Sequence, residues 1–154
     1  MATGAIETVT IRFYQAKGKY AFLSCLFKRP VVFENIEFDC REKAYQWGKF
    51  ANPAAAEWMR QAPEPHLAAI VGHGLFKWDI AEGWAAKKIE RMRQVLLAFF
   101  RQHEDLRKQL FDTGDALLLE DSNMDAFWGL GPKGNGKNML GKLLMEVREK
   151  LRGG

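Results

Sequence analysis

Cysteine is almost missing from this chain. Its two residues, Cys25 and Cys40, stand fifteen positions apart with no C-x-x-C pair, which argues against a disulfide framework and against a structural zinc site. Histidine is scarce as well: His66, His73 and His103 show no metal-ligand spacing, and no metal is expected. No apolar run is long enough to span a bilayer, so no membrane partner is expected. The first residues lack the basic start and long apolar stretch of a secretory signal. A reducing, cytoplasmic setting is the default expectation. Internal repeats and linker-like stretches are absent too, which leaves one domain over residues 1–154 as the reading.

What the chain does have is material for a core. Its 154 residues are 47% hydrophobic and 27% charged, without the bias of a disordered or fibrous sequence. The formal net charge of +4 is unevenly spread. Residues 1–60 carry nine Lys/Arg and six Asp/Glu, residues 61–130 eight and eleven, and residues 131–154 six and two. Two basic ends thus flank an acidic middle. Brought together in space, they form an electropositive patch suited to phosphates; left apart, they are a solvated surface.

The stretch "ETVTIRFYQ" alternates and is β-branched, as a strand does. "RPVVFENIEFD" predicts a hairpin: Val31, Val32 and Phe33, a turn near Glu34-Asn35, then Ile36 to Phe38. Together these predict a small antiparallel sheet near the N-terminus. "CREKAYQWGKFAN" predicts a helix ended by Asn52-Pro53, "PAAAEWMRQA" a second stopped by Pro63, and "PHLAAIVGHG" a third ended by Gly72 or Gly74. The strongest periodicity runs from about Trp84 to Phe111. There Ile89, Met92, Leu96, Phe99, His103, Leu106 and Leu110 recur at steps of three and four, and Thr113-Gly114 ends the pattern. On that stripe His103 reads as a core or boundary histidine. "DALLLE" reads as a short buried strand or extended run and "SNMDAFW" as a short helix capped by Ser122 or Asn123. A last helix, from about Asn138 to Leu151, has Leu140, Leu143, Leu144, Val147 and Leu151 as its apolar stripe. The fold class expected is α+β and predominantly helical.

Between the last two elements lies "GPKGNGKN", one residue short of a phosphate-binding P-loop. Gly131, Gly136 and Lys137 fit G-x-x-x-x-G-K-[ST], but Asn138 stands where a metal-binding hydroxyl belongs. The preceding "MDAFWGL" does not read as a central strand, and the chain lacks the strand–helix rhythm of an α/β NTPase. A P-loop is therefore rejected. Two readings stay open: an anion site at a helix N-terminus, helped by Gly129, Gly131, Gly134, Gly136, Lys133 and Lys137, or a flexible surface turn capped by Asn138.

The same region carries a longer pattern. "EDSNMDAFWGLGPKGNGKNMLGKLLMEVREKL" matches E-x-S-x-x-D-x-x-W-G-x-G, a glycine turn, then G-x-N-x-L-G-x-x-L-M-x-x-R. It does so through Glu120, Ser122, Asp125, Trp128, Gly129, Gly131, Gly136, Asn138, Leu140, Gly141, Leu144, Met145 and Arg148. Earlier blocks follow in order. They are "FYQAKGKYAFLS" with Phe13, Tyr14, Tyr20 and Ser24; "REKAYQWGKF" with Glu42, Tyr45, Gln46, Lys49 and Phe50; "WAAKKIERM" with Trp84, Lys88 and Met92; and "LFDTGDALLLE". Over about residues 11–151 the chain resembles the NADAR, or YbiA-like, superfamily.

That resemblance implies a compact, mostly helical N-glycosidase that needs no cofactor and no metal. Its known activities cleave a ribose–nitrogen bond, either in phosphorylated ribosylamino intermediates of riboflavin synthesis or in ADP-ribose attached to guanine bases. It points to Glu42 as the main catalytic carboxylate and to Asp125 as the second. Read alone, Glu42 is a surface helix glutamate and Asp125 a first-turn helix acid suited to capping. The resemblance further implies substrate contacts at Phe13, Tyr14, Tyr20, Ser24, Gln46, Lys49, Trp84, Trp128, Gly129, Lys137 and Asn138. The tryptophans would stack on a base or wall the pocket, or else serve as core. The lysines would take phosphate, and Asn138 would cap its helix and reach the ligand.

Several family positions differ. Lys43 stands for a histidine, Leu23 for a phenylalanine, Cys25 for an asparagine, Phe99 for a lysine and His73 for an arginine. The favoured reading is hydrolysis of a phosphorylated ribose conjugate, foremost an ADP-ribosyl adduct on guanine, with ADP-ribosylated nucleic acid as the partner. A riboflavin-pathway substrate is the alternative, followed by a non-catalytic ADP-ribose or nucleotide binder. A plain basic nucleic-acid binder ranks last, since no usual RNA or DNA motif is present. Nothing in the sequence identifies a toxin partner.

Overall fold

The computed structural model describes residues 8–154. Glu7, at the start of the expected first strand, lies outside them. Strand β1 spans Thr10–Phe13, β2 Val31–Phe33 and β3 Ile36–Phe38. Helices α1 (Arg41–Trp47), α2 (Pro53–Arg60), α3 (Pro65–His73), α4 (Trp84–Gln102) and α5 (Glu104–Asp112) follow, then β4 (Leu117–Glu120) and α6 (Met139–Gly153). The architecture is α+β and dominated by helix.

Strands β2 and β3 form the expected antiparallel hairpin, pairing Val31 with Phe38 and Phe33 with Ile36. Glu34 and Asn35 both have positive φ, 52° and 64°, the two-residue turn whose twist suits a hairpin. β1 does not join this pair. It runs parallel to β4, from Thr10 opposite Leu117 to Phe13 opposite Glu120. A parallel partner needs a long crossover, here supplied by β2, β3 and the five helices between.

Two predicted helices are shorter than their sequence patterns. α1 stops at Trp47, not at Asn52. Arg91 Nε donates to the carbonyls of Ala44 (3.1 Å) and Tyr45 (3.0 Å), closing the helix end. Residues 49–51 then run beside 79–81, with Ala51 N donating to Asp79 O and Ala81 N to Lys49 O, each at 2.8 Å. The long Trp84–Phe111 pattern is two helices. His103 has φ −121° and ψ 90°, and its Nε2 lies 2.6 Å from the Pro30 carbonyl. The stripe survives the break because Met92, Leu96, Phe99, Leu106 and Leu110 are all buried in one core with Ile11, Phe13, Val31, Phe38, Leu118 and the α6 residues Leu140, Leu143, Leu144 and Val147.

Two departures from the family pattern serve packing. Lys43 is fully buried, and its ammonium donates to Asp39 (2.9 Å) and to the carbonyls of Arg60 and Ala62, fixing the end of α2. Phe99 lies under the buried Arg41 guanidinium, 3.8 Å from ring centre to Cζ. Arg41 donates to the Ser24 carbonyl at 2.7 Å and to that of Phe22, and burial lowers its pKa to about 10. Among the described residues no carboxylate forms an ion pair with it, and the two carbonyls and the aromatic face are its partners.

Candidate active site

Glu42 sits in the first turn of α1, where its amide donates to the Cys25 carbonyl at 3.1 Å. One turn later, Gln46 Nε2 donates to Glu42 Oε1 at 2.9 Å. Gln46 is buried against Gly72 of α3, where any side chain would collide with it. Lys49 reaches across the same contact to the Gly72 carbonyl at 2.7 Å. Burial raises the Glu42 carboxyl above the ordinary range. Gln46, His73 and Lys49 oppose that shift, and the charge of Asp125 adds to it. The ends of α1 and α3 and the loop after β4 therefore converge on one carboxyl group.

The expected "SNMDAFW" helix is absent. Ser122 Oγ accepts from the amides of Met124 (3.3 Å) and Asp125 (3.0 Å), and Asp125 Oδ1 accepts from Phe127 (2.9 Å) and Trp128 (2.8 Å). These side-chain bonds replace the helical ladder with nested turns. Asp125 thus shapes its own loop through Oδ1, and none of these bonds uses Oδ2.

The glycine loop is also organised differently from the sequence expectation. The amides of Gly136, Lys137, Asn138, Met139 and Leu140 donate to the carbonyls of Leu130, Ala126, Gly129, Phe127 and Trp128, at 2.6–3.0 Å. The amides that seemed free to hold an anion are therefore taken by the loop itself. Asn138 does not cap α6 with its side chain. It adopts a left-handed conformation, φ 50°, and its side chain turns to β4. Oδ1 accepts from the Glu120 amide and Nδ2 donates to the Leu118 carbonyl, each at 2.9 Å. Gly129 packs on the same residue: a Cβ there would stand 2.8 Å from the Glu120 carbonyl oxygen and 2.9 Å from its Cγ.

Glu120 is the carboxyl that sequence reasoning left out of the site. Burial, then the charges of Asp125, Glu42 and Asp121, push it up to about 8. Its Oε2 is buried with no hydrogen-bond partner among the described residues, as is Gln46 Oε1. The motif E-x-S-x-x-D contains it, but the end of a buried strand gave no separate signal. Tyr45, Lys88 and Phe127 were missed in the same way. Tyr45 packs between Trp84 (ring centres 5.1 Å) and Trp128 (5.3 Å), and Phe127 stands edge-on to Trp128 at 4.9 Å. Lys88 Nζ lies 3.9 Å from the Phe127 ring centre and Lys137 Nζ 5.6 Å. Burial, then the charge of Lys88, lowers the Lys49 pKa. Burial, followed by the charge of Glu42, moves the Tyr45 phenol well upward.

The structure thus gathers Glu42, Asp125, Gln46, Lys49, Trp84, Trp128 and Lys137, and adds Glu120, Tyr45, Lys88 and Phe127. Gly129 and Asn138 support that group by holding the Glu120 backbone. Phe13 is buried in the core opposite Glu120. Ser24 is buried, with its hydroxyl accepting from Leu26 N at 3.1 Å. Tyr14 is exposed just after β1. Tyr20 lines a separate cavity of about 210 Å³ with Lys19, Phe22, Gln109, Asp112 and Thr113. A larger surface depression, about 680 Å³ beside His103, has none of the three carboxyls in its wall. Cys25 is buried with its sulfur 3.8 Å from that of Met92, and burial drives its thiol strongly upward, which makes it an inert core residue. Among the described residues no group of three His, Cys, Asp or Glu is placed to hold a metal ion, and no helix is long and apolar enough to cross a membrane.

Comparison with known proteins gives the family of the chain. The NADAR domain family matches residues 12–152. N-glycosidase YbiA of Shigella flexneri is 36% identical over 95% of this chain and 91% of its own length. A riboflavin biosynthesis protein of Vibrio vulnificus is 33% identical over 92% of this chain and 38% of its own. The solution NMR structure of Escherichia coli YbiA superposes with a TM-score of 0.85 at 34% identity, covering 96% of this chain and 88% of that one. The chain belongs to the NADAR domain family.

Proposed function

We propose that this chain hydrolyses the C1–N bond of a phosphorylated ribose conjugate, foremost an ADP-ribosyl adduct on a guanine base. The coarse class comes with the family: the chain is an N-glycosidase, a hydrolase acting on N-glycosyl bonds. The observation that carries the reading is that the charges of Asp125 and Glu42 act on Glu120, and that of Asp125 on Glu42, with Lys49 and Lys88 near a wall of Tyr45, Trp84, Phe127 and Trp128. Breaking a C1–N bond builds positive charge on the sugar. A carboxylate at that carbon stabilises the charge and orients the attacking water. Water adds its oxygen to C1 and keeps one proton as the new hydroxyl; its other proton passes to a carboxylate and from there to the nitrogen as the C1–N bond breaks.

Glu42 is assigned the carboxylate at C1, with Asp125 as the second. Glu120 is neutral below about pH 8, so it limits repulsion among the three. Lys49, Lys88 and Lys137 suit a pyrophosphate, and half-buried Trp128 walls the base or sugar, backed by Tyr45 and the buried Trp84. A phosphorylated ribosylaminopyrimidine is the second reading, favoured by the Vibrio vulnificus relative named for riboflavin biosynthesis. The test offers both substrates in parallel and follows base release by mass spectrometry. Faster release from ADP-ribosylguanine supports the first reading. Release from the pyrimidine alone selects the second, and binding of ADP-ribose with no turnover of either overturns both.

A further inference from the structure

Reachable sulfur in this chain is concentrated at one place. Met124 is 84% exposed, whereas Met59 and Met92 are buried, at 0% and 3%. Met139 and Met145 are half-buried and packed against the core. The thiols do not compete. Cys25 and Cys40 are both buried. Burial raises the Cys25 thiol strongly and that of Cys40 to about 11, so neither is a thiolate at neutral pH. Oxidation of a side-chain sulfur follows its exposure. Among the described residues Met124 is therefore the sulfur that a peroxide meets first.

The place of Met124 in the loop gives that reaction a consequence. It immediately precedes Asp125, and the two share one support: Ser122 Oγ accepts from the Met124 amide at 3.3 Å and from the Asp125 amide at 3.0 Å. Asp125 Oδ1 in turn accepts from the amides of Phe127 (2.9 Å) and Trp128 (2.8 Å). The Asp125 carboxyl is thus placed by a short run of side-chain-to-backbone bonds. A thioether is a weak acceptor and leaves those amides to Ser122. Oxidation makes the same side chain polar. A sulfoxide oxygen is a strong acceptor, and local side-chain acceptors compete for nearby backbone amides.

We propose that Met124 is a reversible oxidation site, whose sulfoxide takes an amide of this turn from Ser122, displaces Asp125 and slows the enzyme. The oxidant is hydrogen peroxide or an organic hydroperoxide. The Met124 sulfur attacks one peroxide oxygen and the O–O bond breaks. That oxygen stays on sulfur, and the other leaves, protonated, as water or an alcohol. Sulfur gives up an electron pair and the peroxide is reduced. A methionine sulfoxide reductase, drawing on thiols, restores the thioether. The effect on rate rests on the hydrolysis proposed above; the place of oxidation does not.

Two measurements on the full chain test this. In the first, folded wild type is treated with hydrogen peroxide, and peptide mass spectrometry follows oxygen gain at each methionine. Met124 is expected to react about tenfold faster than Met139 or Met145. Equal rates, or faster oxidation at either of those two, overturn the proposal whatever the enzyme hydrolyses. The second follows base release from both substrates named above, before oxidation, after it, and after methionine sulfoxide reductase. kcat is expected to fall about fivefold or more on oxidation and to recover with the reductase. Met124→Leu is expected to start at the wild-type rate and to keep it through peroxide. Full kcat with Met124 oxidised, or the same loss in Met124→Leu, overturns the proposal. If neither substrate is turned over, the functional reading fails, and amide hydrogen exchange at Met124 and Asp125 reads the turn instead. Faster exchange after oxidation, reversed by the reductase, supports the displacement, and unchanged exchange overturns it.

Discussion

Gln46 holds Glu42 across one turn of α1, its Nε2 2.9 Å from Glu42 Oε1. This bond favours the ionised carboxyl, while burial favours the neutral one and is the larger effect. Gln46→Leu removes the bond and keeps the bulk beside Gly72. The Glu42 pKa then rises further, so the acid limb of the kcat profile moves to higher pH. A profile from pH 4 to 9 checks this; an unmoved limb would show that Glu42 ionisation does not set the rate.

Glu120 gives a prediction about stability. Its carboxyl is held at about 8 in the fold against an ordinary value of 4.5. The neutral form that the fold prefers is fully present below 4.5, and its contribution is lost as pH rises toward about 8. Glu120→Gln keeps the shape without the ionisation. Relative to wild type, the variant is expected to gain on the order of 1–3 kcal/mol between pH 5 and pH 8. Thermal melts across that range measure the difference, and parallel curves would contradict the burial argument.

Much of the fold was legible where its cause is local. The Glu34-Asn35 turn, the start of α2 at Pro53 and the α6 stripe depend on neighbours in sequence, and each stands where its pattern put it. The β1–β4 pair was not legible, because Thr10 meets a partner at Leu117 and alternation names no partner. The break at His103 is set by Pro30, far away in sequence. Asp125 was read as a helix acid because the rival bonds from Ser122 and Asp125 to the backbone become visible only in three dimensions. The site residues came from a family pattern rather than from periodicity. Glu120, Lys88 and Phe127 lay within quoted motifs, but as a strand end, a helix lysine and an aromatic they gave no separate signal.

Asn138 ties the last helix to β4 by two buried bonds, to Glu120 N and Leu118 O. Asn138→Ala leaves both groups unsatisfied and places alanine at a left-handed φ of 50°. A loss of about 2–4 kcal/mol is expected, read as a lower urea midpoint with unchanged slope. A loss under about 0.5 kcal/mol would remove Asn138 from the support of Glu120.

Phe99 is the departure most open to direct reversal. Phe99→Lys sets a second buried cation against Arg41, whose guanidinium lies 3.8 Å from the Phe99 ring centre. The variant is expected to lose about 3 kcal/mol or more, whereas Phe99→Leu loses only about 1–2 kcal/mol through lost packing and cation–ring attraction. Circular dichroism melts of the two variants give the ranking, and a stable lysine variant would contradict the packing account.

The most direct test of the central claim is single-turnover hydrolysis by wild type and Glu42→Gln. Mass spectrometry follows base release, and direct titration follows substrate binding. Glutamine keeps the size of the side chain and removes its charge. The account predicts base release slowed by about a hundredfold or more, with substrate affinity changed by less than about threefold. Hydrolysis at the wild-type rate by Glu42→Gln would remove Glu42 from the chemistry and leave Asp125 or Glu120 as the carboxyl that acts.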